Sequence, residues 1–154
     1  MNTTNFNCNI NTGKLSEWYI EEILKKNNFK YVMQPRINYG DAGCYLKPDF
    51  YLPEKNLFIE VKSRSYNCGG TASEKLDHIP RKYSKLALTN NYRLSKVLIV
   101  CSAFELFEKS TLELLNHSCA NTREYVKDFV ELSKKHNVLD WIPVKKLINV
   151  LNLI

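Results

Sequence analysis

A chain of 154 residues, 44% apolar and 25% charged with a formal charge of +6, suits one globular domain with a single core. Its longest apolar runs, such as Val97–Cys101, are far too short to span a bilayer, and the polar stretch Met1–Asn11 lacks the apolar region of a secretory signal. The five cysteines and three histidines are scattered without zinc-site spacing, so free thiols in an intracellular protein are expected, with no membrane partner.

Residues 1–13 read as a flexible lead-in, and residues 14–154 as a single domain. Residues 14–28 have helical periodicity, with Leu15, Trp18, Ile23 and Leu24 as the apolar part. A strand is expected over 30–37, followed by loop chemistry in Asn38–Gly43. Strand-like runs at 44–52 and 57–63 flank Pro53–Asn56, which reads as a four-residue hairpin loop. After a loop over Ser63–Ser73, a helix runs to about Leu88 and is kinked or restarted at Pro80. Residues 95–102 are apolar on both faces, as in a central strand. Helices at 103–116 and 122–136, a short strand at Val138–Ile142 and a helix from Pro143 complete the order. It is αβββαβ followed by further helices, a mixed α/β domain.

The charge is unevenly spread. Residues 60–100 carry eight Lys/Arg against three Asp/Glu, or +5 of the total, while the flanking thirds are nearly neutral. A local positive field of this kind collects a phosphate backbone, although a solvated basic face would look the same.

The stretch Lys47–Ser63 carries the chemistry. Alternation along 57–62 puts Phe58, Glu60 and Lys62 on one face and Leu57, Ile59 and Val61 on the other. If the hairpin closes with Leu52 opposite Leu57, Asp49 falls opposite Glu60, with Cβ atoms roughly 4.5–5.5 Å apart. Facing carboxylates repel unless a divalent cation lies between them. Magnesium ordinarily takes one or two carboxylates and keeps its other positions for water and phosphate. Lys62 would then orient or help deprotonate a water that attacks a phosphodiester. Without a cation, the same three residues would form an exposed salt-bridged ladder.

Pro48-Asp49 and Glu60-Val61-Lys62, on two strands joined by a turn, resemble the signature of the PD-(D/E)XK nuclease superfamily, most like a small type II restriction endonuclease. The resemblance implies a restriction-endonuclease-like αβββαβ core, a mixed sheet flanked by helices, with extra C-terminal helices. It implies a metal-dependent endonuclease acting on double-stranded DNA with Mg2+, for which Mn2+ substitutes, as a homodimer that cuts both strands. Asp49, Glu60 and the Val61 main-chain carbonyl would hold the metal, and Lys62 would be the catalytic lysine. Glu17 is the choice for the acidic residue that many members add from the first helix, with Glu21 its rival. Arg64, Gly70, Thr71, Lys75, Arg81 and Lys82 would line the DNA, the glycine allowing close backbone approach. Tyr83 fits the Gln-xxx-Tyr pattern of some branches, but position 79 is Ile, so those branches are not supported. A Holliday-junction resolvase, a nicking repair enzyme, or a non-catalytic nucleic-acid-binding domain of the same fold are the alternatives.

Other conspicuous residues read as structure. Trp18, Phe29, Tyr31 and Trp141 are expected to pack rather than to stack on bases. Cys101 is expected to act as a small buried hydrophobe. Cys68 has no nearby base in sequence to make it a nucleophile.

Overall fold

Alternating side chains with β-branched and aromatic members make Leu57–Lys62 a strand, and the chain is organised around it. The computed structural model describes residues 12–40, 43–62, 71–101 and 111–154. The strands are β1 (Val32–Met33), β2 (Ile37–Asn38), β3 (Tyr45–Leu46), β4 (Phe50–Leu52), β5 (Leu57–Lys62), β6 (Lys96–Cys101) and β7 (Val138–Pro143). The helices are α1 (Thr12–Lys26), α2 (Thr71–Tyr83), α3 (Thr111–Leu114), α4 (Ala120–Lys135) and α5 (Leu147–Leu153). Five strands form one mixed sheet in the order β1-β4-β5-β6-β7, while β2 and β3 pair separately. Strands β1, β4 and β5 are antiparallel neighbours, and β5, β6 and β7 run parallel. Among the described residues, no helix is long and apolar enough to cross a membrane.

Both faces of the sheet are covered. Ile20 and Leu24 of α1 and Leu147 and Leu151 of α5 pack with Leu57, Ile59, Leu98 and Val100 on one side. Leu76, Ile79 and Tyr83 of α2 and Val126 and Phe129 of α4 pack with Phe58, Val97 and Ile99 on the other. Strand β6 is an interior strand, as its two apolar faces predict. Its run Val97–Val100 is at most 1% exposed, which at about 1.5–3 kcal/mol per side chain makes it a principal source of stability. Cys101 is fully buried at its end, and Trp141 stacks at a tilt on Phe129 with ring centroids 4.6 Å apart.

Several elements differ from expectation, each for a local reason. The strand expected over 30–37 is two short pieces, because Gln34 adopts φ 44° and Pro35 has no amide to donate. Proline also divides 44–52, where Pro48 separates β3 from β4. The turn Pro53–Lys55 is a single 3-10 turn, closed by Asn56 at φ 48°, a left-handed position that asparagine tolerates. Helix α1 starts at Thr12, two residues early, so the expected flexible lead-in lies outside the described residues up to position 11. Its buried row is Ser16, Ile20 and Leu24, while Trp18 is 57% exposed. The i, i+4 row with the small serine approaches the sheet, and the tryptophan stays at the surface. Helix α2 continues through Pro80 and gives way only at a 3-10 segment over Ser84–Leu88. Of the helix expected over 103–116, only α3 and the turn after it lie within the described residues. The last helix is preceded by a 3-10 turn over Val144–Lys146.

Candidate active site

The hairpin register is the one the sequence predicts: Leu52 pairs with Leu57, Tyr51 with Phe58 and Phe50 with Ile59. One step further along, Asp49 stands beside Glu60. Its Oδ2 accepts the Val61 main-chain amide at 2.7 Å, and its own carbonyl accepts the Gln34 amide at 2.9 Å. Asp49 is therefore held through both side chain and backbone.

Glu60 is only 4% exposed, because the face it shares with Phe58 is core rather than open surface. A carboxylate buried in this way needs partners. Lys82 Nζ lies 3.1 Å from Oε1 and Lys62 Nζ 3.6 Å from the same oxygen. The buried Tyr83 hydroxyl donates to Oε2. Burial, followed by the Glu60 charge, pushes the Tyr83 phenol well above its usual value. Tyr83 therefore remains a donor throughout the working pH range.

Asp49 has a different environment. Burial first, then the negative charge of Glu60, raise its carboxyl from 3.8 to about 7. The Val61 amide opposes that shift, while the nearby Glu17 carboxyl adds to it. Both nearby lysines turn to Glu60. Among the described residues, no cation pairs with Asp49 or Glu17.

The two helix carboxylates are clearly distinguished. Glu17 meets Asp49 and accepts from Gln34 Nε2 at 3.4 Å. Glu21 instead accepts the Tyr31 hydroxyl at 2.8 Å and pairs with Lys25 at 3.4 Å. The side chains brought together are thus Asp49, Glu60, Lys62 and Glu17. Arg81 is exposed on α2, whereas Lys82 is committed to Glu60. Arg64 and Gly70 lie outside the described residues, as do the side chains of Thr71 and Lys75, whose backbones belong to α2.

Sequence reasoning overlooked the clamp that Lys82 and Tyr83 place on Glu60. One signal was present. Leu76, Ile79 and Tyr83 form an i, i+3, i+7 stripe, which points a phenol into the core where it needs an acceptor.

Among the described residues, no three His, Cys, Asp or Glu side chains converge as a metal cage would. Glu17, Asp49 and Glu60 interact in series, with Asp49 in the middle. The donor set is nevertheless all hard oxygen, and magnesium ordinarily uses only one or two carboxylates. Asp49, Glu60 and the Val61 carbonyl are donors of that kind, and a divalent cation would relieve the repulsion from Glu60 that helps to raise the Asp49 carboxyl. No family model matches the chain, and no curated protein or solved structure matches it.

Proposed function

We propose that this chain is a magnesium-dependent nuclease that hydrolyses phosphodiester bonds in double-stranded DNA, with manganese able to substitute. One observation carries the reading. Asp49 and Glu60 meet across β4 and β5, with Lys62 on the same face two residues on, and among the described residues no cation pairs with Asp49. The likeness of Pro48-Asp49 and Glu60-Val61-Lys62 to the PD-(D/E)XK signature, carried on neighbouring strands of a mixed sheet flanked by helices, supports it further.

Asp49, Glu60 and the Val61 carbonyl would hold the ion. Bound there, a divalent cation supplies charge neutralisation at the phosphate and a more acidic attacking water. The chain's own residues do the rest. The Val61 amide fixes which Asp49 oxygen remains available. Tyr83 and Lys82 hold the Glu60 carboxylate in one direction, which is the kind of preorganisation catalysis requires. Lys62, about one-third exposed at 30%, can reach solvent to orient the nucleophile or stabilise charge on the phosphate. A double-strand cut needs two such sites, so a homodimer is part of the proposal, and sequence-specific cutting of the restriction type is the preferred form.

A second reading has one observation in its favour: both Glu60 oxygens already have protein partners. That arrangement also suits a nucleic-acid-binding domain in which the cluster is purely structural. Incubation of supercoiled plasmid with magnesium, calcium or EDTA separates the two. The nuclease reading expects nicking or linearisation with magnesium only, because the larger, more flexible calcium shell positions water poorly. It also expects a loss of at least about 100-fold for Asp49→Asn, Glu60→Gln and Lys62→Ala. Activity within about tenfold of wild type for any of the three, or cutting that persists in EDTA, defeats it.

A further inference from the structure

Away from the carboxylates, the described residues form an open cleft of about 360 Å³ between the β2 region and the loop that leads into β6. Its chemistry comes from Arg36, Asn38, Tyr39, Asn90, Asn91 and Tyr92. Among the described residues, no acidic, His or Cys side chain lines it, so the described lining offers no ligand set for a metal or a cationic group. Amides offer donors and acceptors together, and aromatic rings offer flat faces. That combination matches the edge and plane of a nucleobase, and the volume falls within the roughly 300–1,000 Å³ of ordinary ligand sites.

The lining is preorganised. The Arg36 guanidinium lies over the Tyr45 ring, 4.1 Å from its centroid, and its Nε donates to Asn38 Oδ1 at 3.4 Å. That bond engages the Asn38 side-chain oxygen, so its amide nitrogen is the group that remains for a ligand. Across the cleft, Thr89 donates to the Leu86 carbonyl at 2.7 Å and accepts the Tyr92 amide at 3.2 Å. The loop is thereby fixed with Asn90 and Asn91 exposed. The Tyr92 ring is held edge-on by Tyr51 and Phe58, with centroids 5.4 Å away in each case.

Those two anchors connect the cleft to the candidate active site. Tyr51 and Phe58 are paired neighbours on β4 and β5, each two residues from Asp49 or Glu60 and on the same face. Two residues along a strand span roughly 7 Å, or about two base steps of one DNA strand at 3.4 Å each. The opposite wall is tied in as well, since Gln34, two residues before Arg36, donates to the Asp49 carbonyl.

From this placement we infer that the cleft holds one base of the bound DNA, within a few nucleotides of the phosphate to be cut, and reads that base through Asn38, Asn90 and Asn91. The inference rests on the nuclease reading for the identity of the polymer, but its test is a binding measurement. Duplexes carrying 2-aminopurine at successive positions are titrated with wild-type protein and with the Asn90→Ala/Asn91→Ala variant in calcium. Both positions are exposed, so the variant is expected to melt where wild type does.

The expected result is a change in emission at one or two adjacent positions with wild type. The variant should reduce it at least fivefold, while affinity for the duplex falls by less than about threefold, because phosphate contacts remain. A signal that is absent at every position, or unchanged in the variant, overturns the inference. Titration with free deoxyadenosine monophosphate distinguishes the other source of the same chemistry. Saturable binding that the variant loses, with no signal in duplex DNA, would mean a free-nucleotide site and would also overturn it. Plasmid cutting is assayed in parallel. Cutting without a base-dependent signal would defeat the cleft alone, and the signal without cutting would defeat the nuclease alone.

Discussion

Lys82 reaches Glu60 from α2 at 3.1 Å, closer than Lys62 at 3.6 Å from its own strand. The two ammonium groups therefore share one carboxylate oxygen but belong to different parts of the fold. Lys82 ties a helix to the sheet beside a buried phenol, while Lys62 extends from the strand end.

The two lysines should separate when mutated. Lys82→Met removes one partner of a buried carboxylate, and at partial exposure that costs about 1–3 kcal/mol of stability. Tyr83→Phe should cost a similar amount, about 1.5–3 kcal/mol, because the donor to a charged group is lost. Lys62→Ala should cost less than about 1 kcal/mol yet reduce cutting the most. Urea denaturation beside a plasmid assay checks this. If Lys62→Ala is the most destabilising of the three, the division of labour is wrong.

Asp49 gives a pH dependence of unusual sign. Its folded-state carboxyl sits at about 7, above the unfolded 3.8. The folded state thus binds the proton more tightly, and the resulting stability is fully present below about pH 4 and lost as pH rises through 7. In EDTA, Asp49→Asn should therefore be more stable than wild type at pH 8, by an amount on the order of a few kcal/mol at most, with the difference shrinking toward pH 5. Millimolar magnesium should stabilise wild type at pH 8 by mass action and leave the variant unmoved. Melting curves across that range are the measurement. A variant less stable than wild type at pH 8, or equal magnesium responses, would remove Asp49 from the ion site.

Much of this site was legible in the sequence because period-2 alternation and one turn fix a hairpin register. Once Leu52 faces Leu57, the neighbours of Asp49 follow with no further information. The central place of β6 was similarly legible from its unbroken apolar run, but the strand order in the sheet was not. What local pattern could not give was the environment of Glu60. Alternation says which face Glu60 occupies, but only tertiary packing decides whether α2 covers that face. The same limit explains Trp18: in α1 the row chosen for burial contains Ser16, and periodicity counted the larger apolar residues instead. The short β1 and β2 were missed because a single left-handed residue, Gln34, interrupts a segment whose composition reads as one strand.

The choice between the helix carboxylates follows from their partners. Glu17 joins Asp49, while Glu21 is occupied by Tyr31 and Lys25. Glu17→Gln should lower the cutting rate about tenfold or more, and Glu21→Gln by less than about threefold. Glu21→Gln should instead loosen the packing of Tyr31 and lower the melting temperature. Side-by-side kinetics decide it. The reverse order of rates would assign the role to Glu21, and two silent variants would leave both carboxylates without a part in cutting.

The final prediction concerns the surface that meets DNA. Residues 60–100 hold +5 of the +6 net charge, but Lys82 is turned inward to Glu60 and Lys62 shares that carboxylate. Reversing either would confound binding with collapse of the site. Arg81 and Lys85 are exposed on the same stretch of chain and make a cleaner probe. If DNA lies along this segment, affinity should fall steeply with salt, with each neutralised phosphate contributing about −0.9 to the slope of log affinity against log salt. Arg81→Glu/Lys85→Glu should weaken binding about tenfold or more at low salt and flatten that slope by about two. Lys134→Glu/Lys135→Glu, at the exposed end of α4 in the neutral third of the chain, carries the same change in net charge. It should weaken binding only by the general repulsion that any added negative charge brings. Titration of one labelled duplex in calcium, at several salt concentrations and with all three proteins, gives both affinities and slopes. Equal losses for the two pairs would mean that DNA does not follow the basic segment, and that its charge serves solubility alone.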